Sequence, residues 1–274
     1  MEIQSPTRRY RVGDEPVGET ETHRLYLCRE VGTERSCVLQ IALETSHNEI
    51  VDRSAFFLMQ LQKRAEELEV LYAKTKKDKK QMLNYGLGFP ELVETFIVHQ
   101  PGRRRINILA FRGVENAGTM LPISNIIIKD RQRVNLETSV WIMGKALKMI
   151  AFAHDQFISV GCVNETNLLL DRQQHFVVLF DWSYAKFHTD TLDPETRRAE
   201  IMEAARAVVT LLGGDLETGR FPIDDGSPFV QYTDHLMELA RGRQYNASKA
   251  HERFYQLVDE LWERKFYPFT TYNR

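Results

Sequence analysis

The sequence predicts an α+β protein with two lobes, a β-rich N-terminal lobe with one helix and a mainly helical C-terminal lobe. Before residue 113, short runs rich in β-branched and aromatic side chains favour strands. After it, most apolar residues recur every three to four positions, which is the period of an α-helix. The polar, glycine-bounded segment Gly113–Gly118 can act as a hinge. We therefore expect lobes over residues 1–113 and 114–274, with residues 1–8 as a flexible tail.

The N-terminal lobe is expected to contain a hairpin, one long helix and a second hairpin. A turn at Gly32-Thr33 separates the first two strands, and Pro101-Gly102 separates the last two. A lysine cluster, defined as Lys74–Lys80, follows the helix. The expected elements are strands Arg24–Cys28 and Cys37–Ile41, helix Ser54–Tyr72, and strands Thr95–His99 and Arg105–Phe111.

The C-terminal lobe is expected to be helical, with a small hairpin inserted. Asn135 and Asp193 are predicted to cap two helices, and Pro194 suits the first helical position. The helix after Asp193 should end at Gly213-Gly214. The expected elements are a helix from Leu136 to His154, strands Leu168–Leu170 and Phe176–Phe180, a helix from Pro194 to Leu212 and a last helix from Ser248 to Arg264.

Composition excludes several classes of function. The 36 Lys and Arg residues against 38 Asp and Glu residues give a formal charge of −2, so no global positive field favours nucleic acid as a partner. Cys28, Cys37 and Cys162 are too few and too far apart for a disulfide framework or a CxxC metal pair. No apolar run is long enough to span a bilayer, and the first residues lack a signal peptide. We therefore expect a cytoplasmic protein without membrane association.

The segment Val17–Tyr26 reads VGETETHRLY and resembles the glycine-rich loop of eukaryotic-type protein kinases with the strand after it. The family pattern G-x-G-x-x-G lets bare backbone approach the nucleotide phosphates. Gly18 matches the first glycine, whereas Thr20 and His23 replace the second and third. The alternative interpretation is a plain polar turn between two strands.

The segment Cys37–Ala42 is similar to the third-strand V-A-I-K motif of the same family. The family lysine neutralises the nucleotide phosphates and pairs with a helix glutamate. Gln40 stands in its place and carries no charge. From the predicted long helix, Glu66, Glu67 or Arg64 could face this strand, although Glu66 and Glu67 are more often solvated surface charges.

The segment Val160–Asp171 resembles the catalytic loop H-R-D-L-x-x-x-N and the apolar strand that follows it. Asn167 matches the family asparagine, but Cys162 stands where the catalytic aspartate would be. A thiol with a pKa of about 8.5 is a poor substitute for a carboxylate base. Glu165 is the alternative base, and His154, on the apolar stripe of a helix, is expected to be a buried structural residue.

The segment Val177–Ser183 looks like the strand leading into the D-F-G motif, with Trp182-Ser183 in place of Phe-Gly. Asp181 matches the metal-binding aspartate, and Asn167 and Asp181 together are the candidate Mg²⁺ ligands. The alternative is that Asp181 ends the strand and caps the next turn. The chain up to Asp193 is shorter than a typical activation segment and lacks A-P-E.

These segments occur in the family's order over about residues 10–214, and the resemblance implies a two-lobed protein kinase-like fold of a degenerate member. We expect a pseudokinase that acts as a scaffold or regulator of a protein partner, without ordinary kinase activity. No catalytic residue is expected, because Gln40 and Cys162 are degenerate positions. ATP and Mg²⁺ are the implied ligands, with weak or no nucleotide binding. The candidate nucleotide contacts are Gly18, Gln40, Asn167 and Asp181.

Two other functions stay open at this point. One is a divergent but active ATP-dependent phosphotransferase, for which Lys186 or the lysine cluster would have to supply the missing cation. The other is an interaction module that binds no nucleotide, with the lysine cluster and Arg103–Arg105 as exposed basic handles. The aromatic C-terminal end, Phe266–Tyr272, is a candidate docking strip, with packing back onto its own lobe as the more common alternative.

Overall fold

The computed structural model of the protein describes residues 1–76, 83–99, 102–222, 227–263 and 265–274. The described chain is α+β, as predicted, and divides into two compact units. The first comprises Met1–Met120 and Asp181–Ala185, and the second comprises Leu121–Phe180 and Lys186–Arg274. The hinge predicted at Gly113–Gly118 lies within the first unit. The predicted residues that lie outside the described part are Lys77, Lys79, Lys80, Pro101 and Arg264.

The first unit is an antiparallel sheet with one long helix packed on it. Its elements are β1 (Glu2–Gln4), β2 (Arg9–Glu19), β3 (His23–Glu30), β4 (Ser36–Ala42), α1 (Asn48–Thr75), β5 (Glu91–Val98) and β6 (Arg104–Ala110). The described strands are ordered β1-β2-β3-β4-β6-β5, and α1 contacts β4, β5 and β6. Both predicted hairpins and the long helix are therefore confirmed.

The first residues differ from the flexible tail that we expected. Strand β1 pairs with Arg9–Arg11, and the N-terminal ammonium donates to the carbonyl of Val12 at 3.1 Å. The Oγ of Ser5 closes the turn between β1 and β2 by accepting from the N–H groups of Thr7 (3.3 Å) and Arg8 (2.9 Å). A three-residue strand is too short to show an alternating pattern, so the sequence carries no sign of it.

Strand β4 is buried along its whole length, which fixes what each of its two faces contacts. Cys37, Leu39 and Ile41 belong to the apolar cluster of the sheet. Side chains alternate along a strand, so Val38 and Gln40 point to the opposite face, which α1 covers. The glutamine in the predicted lysine position is thus directed towards the helix.

The second unit is mainly helical. Its elements are β7 (Leu121–Pro122), β8 (Gln132–Val134), α2 (Leu136–Asp155), β9 (Ile158–Ser159), β10 (Leu168–Asp171), β11 (Phe176–Leu179), β12 (Lys186–Phe187), α3 (Pro194–Leu211), α4 (Ser227–Ala240), α5 (Ala247–Leu261) and β13 (Thr271–Asn273). Asn135 caps α2 by accepting from the N–H of Thr138 at 3.0 Å, and Asp193 caps α3 by accepting from that of Thr196 at 3.0 Å. Both predicted caps and the β10–β11 hairpin are confirmed.

Helix α4 is the main element that our sequence analysis missed. Its apolar residues Tyr232, Leu236 and Leu239 are fully buried and recur at helical spacing, so the pattern was present. Among the described helices, none is both long and apolar enough to cross a membrane.

Candidate functional site

The segment that resembles the glycine-rich loop is a tight connection between β2 and β3. Gly18 lies inside β2, paired with Leu25, and not in the loop itself. The Oγ1 of Thr20 closes the connection by accepting from the N–H groups of Thr22 (3.2 Å) and His23 (3.1 Å). These two N–H groups already have partners, and they would have to exchange them to contact a phosphate. The geometry is that of the polar turn given above as the alternative.

The charge beside this turn is partly neutralised within the strands. Glu19 and Arg24, at the facing ends of β2 and β3, form an ion pair with 2.8 Å between Oε2 and Nε. The hydrogen bond from Arg24 lowers the pKa of Glu19 below its usual value. Both side chains are about half exposed, so this pair adds little to stability.

Position 40, which the sequence resemblance aligns with the family's lysine, holds a neutral and wholly buried amide. Gln40 and Asn107 are neighbours on β4 and β6, and both are 0% exposed. The Nδ2 of Asn107 donates to Gln40 Oε1 at 2.9 Å and to the Val51 carbonyl of α1 at 2.8 Å, and its Oδ1 accepts from Thr95 at 2.8 Å. Uncharged hydrogen bonds thus connect β4, β5, β6 and α1, an arrangement that carries no positive charge to hold a phosphate.

The three charged residues of α1 that we considered as partners of position 40 lie at the surface. Arg64 and Glu67 pair with each other at 3.1 Å, and their side chains are 45% and 49% exposed. Glu66 is also exposed. The interpretation of Glu66 and Glu67 as solvated surface charges is therefore confirmed, and Arg64 is exposed as well. The helix contacts the amide network through the Val51 carbonyl.

His23 and Asp181 form a polar contact within the first unit that the sequence analysis did not predict. His23 replaces the third glycine and is 1% exposed, and its Nε2 lies 3.9 Å from Asp181 Oδ2. Its Nδ1 lies 3.0 Å from Thr22 Oγ1. Burial lowers the pKa of His23, and the negative charge of Asp181 opposes this shift only in part. The imidazole is therefore neutral at physiological pH, and its contact with Asp181 is not a full ion pair.

Asp181 also caps the turn that follows it. Its Oδ1 accepts from the N–H of Ser183 and its Oδ2 from the Ser183 hydroxyl, both at 3.0 Å. The Ser183 carbonyl in turn accepts from Arg53 of α1 at 3.5 Å. The capping role that we left open for Asp181 is present, and the segment Asp181–Ala185 is tied to the first unit through it.

The loop that resembles the catalytic loop lies in the second unit and is held by two carboxylates of α3. Glu200, 3% exposed, accepts from the N–H of Gly161 at 2.8 Å, and Glu203 accepts from that of Val163 at 2.9 Å. The other oxygen of Glu200 lies 2.8 Å from His154 Nε2. The predicted structural role of His154 is confirmed by this contact and by its 6% exposure.

The side chain of Asn167 contacts the backbone of Cys162 within this loop. Asn167 is 4% exposed, and its Nδ2 donates to the Cys162 carbonyl at 2.7 Å. The carbonyl of Glu165 accepts from the N–H of Ser124 at 2.9 Å. The side chain of Asn167 therefore stabilises its own loop by holding the backbone of Cys162, the residue that the resemblance aligns with the catalytic aspartate.

The two predicted cation ligands belong to different units, Asn167 to the second and Asp181 to the first. Their joint role as Mg²⁺ ligands stays a prediction. Within the described part of the chain, no group of three or more His, Cys, Asp or Glu side chains could hold a metal ion.

Sequence analysis missed three residues that shape these sites, Asn107, Glu200 and Glu203, and it missed the contact of His23 with Asp181. Asn107 could have been found, because an asparagine inside the apolar run Arg105–Phe111 is a polar residue at a buried position. His23, Glu200 and Glu203 act on groups far away in sequence, and no spacing rule connects them to those groups.

No protein-family model matches the chain, and no curated protein is significantly similar to it.

Proposed function

We propose that this chain is a degenerate protein kinase-like protein, a pseudokinase, which scaffolds or regulates a protein partner and does not transfer phosphate. Support comes from the four sequence segments together with the order of elements in the first unit. The loop-like segment connects the consecutive strands β2 and β3, the V-A-I-K-like segment is the next strand, β4, and α1 follows directly.

The observation that carries the proposal is the neutral amide pair at Gln40 and Asn107. Phosphoryl transfer depends almost entirely on positioning and on neutralising phosphate charge. A missing electrostatic group of this kind costs about 3–4 kcal/mol of transition-state stabilisation. Here the side chain is uncharged and wholly buried, so it cannot supply the positive charge that the lysine would.

Two further features argue against phosphate transfer. Cys162 occupies the position of the aspartate base, and its loop is fixed by hydrogen bonds to Glu200 and Glu203. The loop-like turn uses Thr20 to satisfy its own N–H groups. Asn167 and Asp181 keep the family's residue types, and we expect them to support only weak nucleotide binding.

Melting temperature with and without ligand tests the proposal. The protein is heated alone, with ATP, with MgCl₂ and with both, since a ligand that binds only the folded state raises the melting temperature. We expect a small rise that needs ATP and Mg²⁺ together and is lost in Asp181→Ala.

Asp14→Ala is the matched control, because Asp14 is in the first unit and its side chain is 93% exposed. It should retain the full rise. A rise that persists in Asp181→Ala would exclude Asp181 from the site. If the wild-type protein shows no rise, the interaction module without nucleotide is favoured instead.

A further inference from the structure

The outer face of α1 carries exposed apolar side chains that the candidate site does not use. The opposite face of the helix is buried against the sheet, with Leu58 and Leu61 fully enclosed. On the outer face, Phe56 is 43% exposed, Met59 is 46% exposed and Val70 is 53% exposed. A helix that lies on one sheet usually has a polar outer face, so an apolar row there indicates a surface that another element covers.

These side chains belong to two heptad rows. Positions 56, 63 and 70 form one row and positions 59, 66 and 73 form the other, which is the a and d spacing of a coiled coil. All six side chains are exposed, and together they define the outer seam of α1: Phe56, Met59, Lys63, Glu66, Val70 and Ala73. A seam with this spacing suits packing against a second helix.

The outer seam is complementary to a second copy of itself that runs in the opposite direction. In an antiparallel coiled coil, the a residues of one helix face the d residues of the other. When the two-fold axis passes midway between residues 64 and 65, the facing pairs are Phe56 with Ala73, Met59 with Val70, and Lys63 with Glu66. The first pair matches a large ring with a small side chain, the second is apolar, and the third joins opposite charges. The two-fold axis repeats each pair, so every layer of the seam is complementary.

The charges in the seam select the antiparallel direction. Within the described part of the chain, neither Lys63 nor Glu66 has an ion-pair partner, so both can pair with a second molecule. In a parallel pair, each Lys63 would face the other Lys63 and each Glu66 the other Glu66, and these like charges would repel. In the antiparallel pair, each of these side chains faces a side chain of opposite charge.

We propose that two copies of this chain associate through α1, antiparallel and along the outer seam. The seam is about 27 Å long, and two of its six layers are charged, so we expect reversible association with a dissociation constant of about 1–100 µM. This inference does not depend on the proposed pseudokinase function, because it rests only on α1.

Sedimentation velocity of the full chain at concentrations from about 1 to 300 µM tests the proposal. We expect the average mass to rise with concentration from that of one chain towards that of two. Protein that stays monomeric over the whole range overturns the proposal.

A charge exchange tests the direction and the register of the two helices. Lys63→Glu and Glu66→Lys each place like charges in both charged layers, so each should weaken association at least about tenfold. The double variant Lys63→Glu/Glu66→Lys restores opposite charges in both layers and should restore association. The proposal is overturned if either single variant associates as well as the wild-type chain, or if the double variant does not recover.

Met59→Glu tests the apolar layers, because it places a carboxylate opposite Val70 in two layers and should weaken association at least about tenfold. The matched control is Val17→Glu, because Val17 is 56% exposed on β2 of the same unit and lies outside the outer seam. Both positions are exposed, so both variants should keep the wild-type circular dichroism spectrum and melting temperature. An equal loss of association in Val17→Glu would overturn the proposal.

Discussion

Replacing Asn107 by leucine tests whether the neutral amide network holds the first unit together. Leucine keeps the branched shape of asparagine but removes its polar atoms. The variant loses the hydrogen bonds to Gln40, to the Val51 carbonyl and from Thr95. Because Gln40 is 0% exposed, its Oε1 is left without a partner and without water.

The expected loss follows from which groups are left unpaired. A buried polar group without a partner costs about 1–3 kcal/mol, and losing the bond to Val51 adds about 1 kcal/mol. Thr95 is only half buried and can bond to water instead. We therefore expect Asn107→Leu to lower the free energy of unfolding by about 2–4 kcal/mol.

A double-mutant cycle with Gln40→Leu separates the hydrogen bond from packing. When both amides are replaced, no polar atom of the pair is left unsatisfied, so the double variant should lose about 1–2 kcal/mol less than the sum of the single losses.

Urea unfolding, followed by circular dichroism and tryptophan fluorescence, measures these values, and Asn273→Leu, at an exposed site, is the control. If the loss in the double variant equals the sum of the two single losses, Gln40 and Asn107 are not coupled. That result would refute our description of position 40.

Two more predictions follow from the same unit. Gln40→Lys should destabilise the protein and leave phosphate transfer absent, because position 40 is wholly buried while Glu66 and Glu67 are exposed, so neither glutamate pairs with the new ammonium. Urea unfolding and transfer from labelled ATP measure these two effects, and a gain of transfer would contradict the prediction. Because folding lowers the pKa of His23, the unfolded chain binds a proton at His23 more readily than the folded chain as the pH falls below about 6.5. The stability that the neutral, buried imidazole allows is therefore present above that pH and lost below it. His23→Gln should therefore reduce the pH dependence of unfolding by up to about 1.4 kcal/mol per pH unit in this window, and an equal reduction in His99→Gln, at an exposed position, would argue against His23.

Much of the secondary structure could be predicted because its causes are local. The caps of α2 and α3 depend on Asn135 and Asp193, which bond to N–H groups three residues further on. The apolar stripe of α1 likewise needs only its own sequence. The predicted surface position of Glu66 and Glu67 and the buried position of His154 follow from the same periodicity.

The candidate sites were less predictable because tertiary contacts create them. Asn107 lies 67 positions from Gln40, and Glu200 lies 39 positions from Gly161. Asp181 could be recognised at the end of its strand, but its contact with His23 could not, since it depends on how the segment Asp181–Ala185 joins the first unit.

Phosphate transfer from γ-labelled ATP in the presence of Mg²⁺ distinguishes a pseudokinase from an active phosphotransferase. We predict no label on protein, small-molecule acceptors or water above the level given by heat-denatured protein. Transfer by the wild-type chain that disappears in Asp181→Ala would contradict the proposal, because it would show that a buried glutamine in the lysine position still permits catalysis.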